Sequence, residues 1–283
     1  MSLAPPMFLT AAIVGAEATH AQNPAVPYLP SEIADEAIRC WEKGASMVHL
    51  HARKPDGTPS QSAELFGEAI ERIRAACDII VQVSTGGAVG MTGEERCQPL
   101  TLSGALAPEM ATLSCGSVNF GEEIFENPRP LMRDIAGRIR AAGIKPELEI
   151  FDTGMMDEAR YLQKKGLIDF PAHFDFVLGV PGGLAAREDA LDYLLTLLPE
   201  GSTWSVAGIG RFELPMVEAA AKRGGHARVG FEDNVFLSKG VLAKGSFELV
   251  EAATAIAKRC GRRIATPAET RQILGIEGSV ASQ

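Results

Sequence analysis

The sequence has 283 residues, 46% hydrophobic and 22% charged, and carries a net charge of −9. That length suits one α/β barrel, and the apolar fraction excludes a long disordered chain. The acidic balance, with a pI of about 5.2, argues against nucleic acid as a bulk partner.

The first apolar run, Met7–Ala16, is followed by Ala16-Glu17-Ala18, which mimics a signal-peptidase site. No Lys or Arg precedes the run, and it is too short to cross a bilayer. It reads as the first core strand, and no other stretch reads as a membrane span. The five cysteines, Cys40, Cys77, Cys97, Cys115 and Cys260, include no C-x-x-C pair. They are expected to be small apolar residues in a reducing cytoplasm, without a disulfide framework.

Short β-branched runs then alternate with longer helical patterns. The strand candidates are Phe8–Val14, Met47–Ala52, Ile79–Ser84, Met110–Ser114, Pro146–Phe151, Phe174–Leu178, Trp204–Ala207 and Ala227–Phe231. Helical patterns occupy Ser31–Lys43, with Ser31 as the expected N-cap, then Ala63–Cys77, Arg129–Ala142, Met155–Lys165, Arg187–Leu198 and Glu213–Arg223. Gly143, Gly166 and Gly224 stand where C-terminal caps are wanted, and Ser246–Cys260 and Pro267–Leu274 supply the last helices. No linker-like stretch divides the chain. The expectation is one domain over 1–283, a single (β/α)8 TIM barrel. An open dinucleotide-binding sheet is the rival, weakened because no G-x-G-x-x-G follows the first strand.

Catalytic groups of such a barrel gather at the carboxyl ends of its strands, and the odd polar residues fall there. His49 and His51 share one face of strand two, a natural pair of metal ligands. The bland alternative is two interior histidines bonded to neighbours. Glu232 ends strand eight, which closes on strand one beside strand two, so it can complete a two-His, one-carboxylate set with open positions. Asp233 reaches the same mouth only if the strand has already ended. Glu147 and Glu149 alternate within strand five, where an unpaired charge is costly, so a cationic partner such as Arg228 is needed. Glu147 is expected near a solvated lower rim. Glu17 follows strand one, Ser84-Thr85-Gly86-Gly87 follows strand three, and Thr112 and Ser114 close strand four. Glycine-rich turns also follow strands six and seven, at Gly179–Gly183 and Gly208–Arg211, giving a mouth lined by anion-friendly backbone.

With these residues in view the chain resembles the β-keto acid cleavage enzymes. The matching segments include TAAIVGAE (10–17), GASMVHLHAR (44–53), QVSTGGAVG (82–90), WSVAGIGR (204–211) and GFEDN (230–234). The resemblance runs over nearly the whole chain, and is strongest to the branch acting on 3-keto-5-aminohexanoate in lysine fermentation. It implies a (β/α)8 barrel, a zinc ion, acetyl-CoA as co-substrate and a homotetramer. By that resemblance His49, His51 and Glu232 hold zinc; Ser84, Gly87, Thr112 and Ser114 face the substrate; Glu149, Arg228 and Asp233, with Ser84, form the catalytic network. Glu17 meets the far end of the substrate, where an acid suits an amine. Ser114 stands where that branch carries Asn, and Ala18-Thr19-His20 replaces a Thr-Thr-Arg-like stretch, so substrate identity stays open. The activity implied is retro-Claisen cleavage giving acetoacetate and a shortened acyl-CoA. A CoA-independent metal-dependent aldolase or lyase shares the same ligand set, and a non-catalytic barrel with a structural metal is the third reading. Pro27-Tyr28-Leu29 is a candidate exposed interface loop.

Overall fold

The computed structural model describes residues 5–276. The strands are β1 (Leu9–Ala12), β2 (Met47–Leu50), β3 (Ile80–Val83), β4 (Met110–Ser114), β5 (Lys145–Ile150), β6 (His173–Leu178), β7 (Thr203–Gly208) and β8 (His226–Val229). All eight lie parallel in one closed barrel. Closure comes from β8 pairing back onto β1, with Leu9 opposite Ala227 and Ala11 opposite Val229. The open-sheet rival is therefore excluded.

Period-two alternation sorts each strand into an outer and an inner face. Leu9, Val48, Val81, Leu113, Leu148, Phe176, Val206 and Val229 belong to the large apolar cluster shared with the helices. The inner set begins with a small plug of Phe8, Met47, Ile80 and Met110, which packs with Leu274 of the last helix, Pro267–Leu274. Above that plug the inner positions turn polar: Thr10, His49, Gln82, Thr112, Glu147, His173, Asp175, Ser205 and Arg228 are all buried. Buried polar groups must find partners. Ser205 Oγ donates to Asp175 Oδ1 at 2.6 Å, and Glu147 Oε2 lies 3.2 Å from His173 Nε2. Glu147 is thus no rim residue. It is 1% exposed, because its parity with Glu149 puts both carboxylates inside the barrel.

Helices Pro30–Glu42, Ala63–Ala76, Arg129–Ala141, Met155–Lys164, Glu188–Leu197, Glu213–Arg223 and Ser246–Arg259 form the outer layer. Between β3 and β4 there is only a one-turn helix, Gly93–Arg96, followed by the tight turns Gln98–Thr101 and Gly104–Leu106. Pro99 and the glycines at 93 and 104 break any longer pattern there. Ser31 is not a cap. The first helix starts at Pro30, whose fixed φ suits the first turn, and Glu32 reaches back to the backbone N–H groups of Tyr28 and Leu29. The proposed interface loop is largely interior. Tyr28 is 8% exposed, its hydroxyl accepts from His20 N at 2.9 Å, and only Leu29 of the three is exposed.

Three hairpins follow the carboxyl ends of β2, β4 and β8: Ala52–Arg53 with Pro59–Ser60, Val118–Phe120 with Glu123–Phe125, and Phe236–Ser238 with Val241–Leu242. They raise a wall around one mouth of the barrel. Among the described residues no helix is long and apolar enough to cross a membrane.

Candidate active site

The site is organised by the exit of β8. The strand ends at Val229, and Gly230 follows with φ of 143°. A methyl group on Gly230 would stand 2.2 Å from Ala12 O, so this close approach to β1 requires glycine. The N–H groups of Asp233 and Asn234 both bond to Gly230 O at 3.0 Å, and this tight turn carries Glu232 and Asp233 over the mouth together. The buried Glu213 pins the turn from below, accepting from Gly230 N at 2.7 Å and from Asn234 Nδ2 at 3.2 Å. Nothing in the sequence pattern pointed to Glu213, which opens a helix and reads as an ordinary first-turn acid.

Glu232 meets the two histidines. Its Oε2 lies 3.3 Å from His49 Nε2 and its Oε1 lies 3.5 Å from His51 Nε2. One ligand atom from each of the three residues falls within 4.8 Å of the others. Both His49 Nε2 and Glu232 Oε2 are buried with no hydrogen-bond partner. Burial pushes His49 down to about 4, against the opposing pull of Glu232, so the ring is neutral and offers a lone pair. Burial acts to raise Glu232, but the Arg228 guanidinium beside it outweighs that and keeps the carboxyl ionised. Unclaimed lone pairs aimed at one another in a dry site are costly. A divalent cation between them removes that cost, and two imidazoles with one carboxylate are a donor set that zinc accepts while keeping coordination positions open. The residues present therefore fit a metal.

Arg228 ties the remaining acids together. Its Nε and Nη2 donate to Asp233 Oδ2 and Oδ1 at 2.8 and 2.9 Å, a bidentate pair. The same Nη2 lies 2.5 Å from Glu232 Oε1, leaving Oε2 free, and Nη1 lies 3.5 Å from Glu149 Oε1. Ser114 Oγ donates to the other oxygen of Glu149 at 2.7 Å. Burial pushes Asp233 up to about 6 despite the Arg228 charge, and burial likewise raises Glu149. An acid that titrates near 6 serves as a proton acceptor around neutral pH.

A cavity of about 370 Å³ opens above these groups and brings together Glu17, His51, Ser84, Gly87, Glu149, Arg228, Glu232 and Asp233. Three of the expected site residues do not line it. His49 lies one layer deeper, Ser114 stands behind Glu149, and Thr112 braces the turn after β3. Thr85 N donates to Thr112 Oγ1 at 3.3 Å and Thr85 Oγ1 donates to Thr112 O at 2.6 Å. Glu17 sits exposed at the outer rim. The β1 exit that carries it is held by Arg53, whose Nε donates to Gly15 O at 3.0 Å. Phe120 and Phe125 from a mouth hairpin, with Phe151, form an apolar wall that the strand pattern did not reveal. A second depression of about 580 Å³ at the opposite end of the barrel contains none of the expected site residues.

Comparison with known proteins gives the family. A family model described as beta-keto acid cleavage enzyme matches residues 6–276. The chain belongs to the beta-keto acid cleavage enzyme family. It is accordingly an acyl-transferring enzyme that cleaves a carbon–carbon bond. The family members it resembles include a 3-keto-5-aminohexanoate cleavage enzyme of Fusobacterium nucleatum, 52% identical over 96% of this chain and 98% of that one. A 3-oxoadipate:acetyl-CoA acetyltransferase of Cupriavidus necator is 40% identical over 96% and 95%. Among solved structures, the binary complex of ObcA with oxaloacetate superposes with a TM-score of 0.75 at 22% identity. That match covers 89% of this chain and 68% of that one, and it bears on the fold alone.

Proposed function

We propose that this cleavage enzyme is zinc-dependent and condenses an amine-bearing β-keto acid, 3-keto-5-aminohexanoate or a close relative, with acetyl-CoA. The products are acetoacetate and a shortened acyl-CoA. The observation that carries the reading is the pair of unclaimed atoms, His49 Nε2 and Glu232 Oε2, the histidine one layer beneath a cavity that Glu232 and the Arg228–Asp233 ion pair line. The names of the relatives at 52% and 40% identity support the reaction class.

His49, His51 and Glu232 would hold the metal, which supplies Lewis-acid stabilisation of charge developing on a substrate oxygen. The chain's own residues do the rest. Ser84 and the backbone N–H of Gly87 orient the substrate carboxylate, on a turn held by Thr112. Arg228 aims the Asp233 carboxylate, which takes the C2 proton. The C2 carbanion equivalent attacks the acetyl-CoA thioester carbonyl and expels CoA thiolate. The thiolate adds to the original C3 carbonyl, the C2–C3 bond breaks, and Asp233 returns its proton to C2 of acetoacetate. C3 and the rest of the chain leave as the acyl-CoA. Glu149, held by Ser114, keeps Arg228 in place, and Glu17 pairs with the substrate amine at the rim.

The test is product analysis of the zinc-loaded protein with acetyl-CoA and β-keto acids carrying an amine, a quaternary ammonium or a plain alkyl group. The amine-bearing acid should give acetoacetate and acyl-CoA in equal amounts. Turnover without acetyl-CoA would favour a lyase, and reaction of alkyl acids alone would remove the role given to Glu17.

A further inference from the structure

Beneath the ligand set lies a buried chain of polar groups that the reaction does not touch. His49 and Gln82 are register partners on β2 and β3, and His49 Nδ1 lies 2.7 Å from Gln82 Oε1. Gln82 is 0% exposed. Its other amide atom, Nε2, is buried without a partner, and so is Glu147 Oε1. Burial pushes Glu147 up, but His173 and the nearby Gln82 amide outweigh that and hold the carboxyl below its ordinary value. A small rotation therefore closes a bond between the two orphans. The far side of Glu147 is held by His173, 3.2 Å from Oε2, and His173 Nδ1 in turn lies 2.9 Å from Thr203 Oγ1.

The direction of these bonds matters more than their strength. An ionised carboxylate only accepts, so Glu147 requires the NH2 end of the Gln82 amide to face it. The amide oxygen is then turned to His49, where it too only accepts. Nδ1 of His49 must carry the proton, which leaves the lone pair on Nε2, the atom facing Glu232 and His51. With the amide reversed, NH2 would donate to Nδ1 and the proton would move to Nε2, where it blocks a metal. We infer that Gln82 and Glu147 are positioning residues that set the tautomer of His49 and so ready it for the metal before the metal arrives. The inference rests on the reading of His49 as a ligand. An amide between carboxylate and imidazole passes on orientation without placing a full charge against the ring, unlike a direct carboxylate partner.

The test is zinc affinity, by competition with a chromophoric chelator, measured beside the unfolding temperature of the metal-free proteins. Gln82→Met keeps the size and removes the polarity, and should weaken zinc by roughly 10–100-fold. Glu147→Gln lets either amide orientation be satisfied and should also weaken zinc. The exchange variant Gln82→Glu with Glu147→Gln restores one consistent direction: Glu at 82 accepts from Nδ1–H and from the new amide, whose oxygen accepts from His173. It should bind zinc more tightly than Glu147→Gln alone, a recovery that simple packing would not produce. Zinc binding unchanged in Gln82→Met, or an exchange variant no tighter than Glu147→Gln, overturns the relay. Should Gln82→Met fail to fold, the other two variants still decide. A His49→Ala protein that binds zinc like the wild type would instead sink the ligand assignment itself.

Discussion

Replacing Arg228 with methionine removes a guanidinium from among three carboxylates, the buried Glu149 and Asp233 and the half-buried Glu232, while keeping much of the side-chain volume. Breaking a buried ion pair by deleting one partner costs about 3–5 kcal/mol, because the other charge stays behind in a poor solvent. At roughly 2–4 °C per kcal/mol for a large domain, the melting temperature of the metal-free protein should fall by on the order of 10 °C. The loss should depend on pH. Without Arg228 the already raised Asp233 and Glu149 rise further and Glu232 loses the charge that holds it down. A raised acid contributes stability at low pH that is lost as pH climbs through its folded pKa. The gap between variant and wild type should therefore be smaller at pH 5.5 than at pH 8, as followed by circular dichroism in the presence of a chelator. A variant that melts within about 2 °C of wild type, or with the same deficit at both pH values, would refute the view that Arg228 offsets buried charge.

Asp233→Asn keeps the size of the side chain and should bind zinc with wild-type stoichiometry while losing about 10²–10⁴-fold in turnover; full activity would remove Asp233 as the base. Gly230→Ala puts a methyl group against Ala12 O at 2.2 Å and forces a left-handed residue to carry a side chain. We expect a cost of at least about 1–3 kcal/mol in urea unfolding and weaker zinc binding, since Glu232 rides on that turn. An unchanged midpoint would contradict this. His226 is driven well below its ordinary pKa by burial and by His173 and Arg262, and its Nδ1 accepts the Phe8 N–H at 3.1 Å. A depressed folded pKa means stability that is full above the unfolded value near 6.5 and is lost as pH falls, by about 1.4 kcal/mol per pH unit while only the unfolded chain takes the proton. His226→Asn keeps an acceptor but cannot titrate, so its acid-side slope between pH 6.5 and 5 should be shallower; an identical slope would show that His226 takes no part.

Much of this was legible in one dimension because strand alternation is strictly local. Each side chain's face follows from its parity with its neighbours, so His49 and His51 could be placed together from spacing alone, and likewise Glu147 with Glu149 within their own strand. The eight strand candidates all appear in the barrel, with ends moved by a few residues. Helix starts were less legible: Ser31 looked like a cap, yet the proline before it begins the first turn. Only the closed sheet brings β8 against β1 and β1 against β2, and that closure sets Glu232 Oε2 3.3 Å from His49 Nε2 across 183 residues of chain. Depth was another tertiary decision. Parity paired Glu147 with Glu149, but how far down the axis Glu147 and Thr112 sit depends on the stagger between strands. That stagger buries Glu147 under the histidines and makes Thr112 a brace for the Ser84–Gly87 turn. Residues such as Gln82 and Glu213 carry no local signature, since an amide or an acid acquires its role only from the group it ends up facing. Contacts between elements distant in sequence arise from packing and strand register, and neither is written in any single segment.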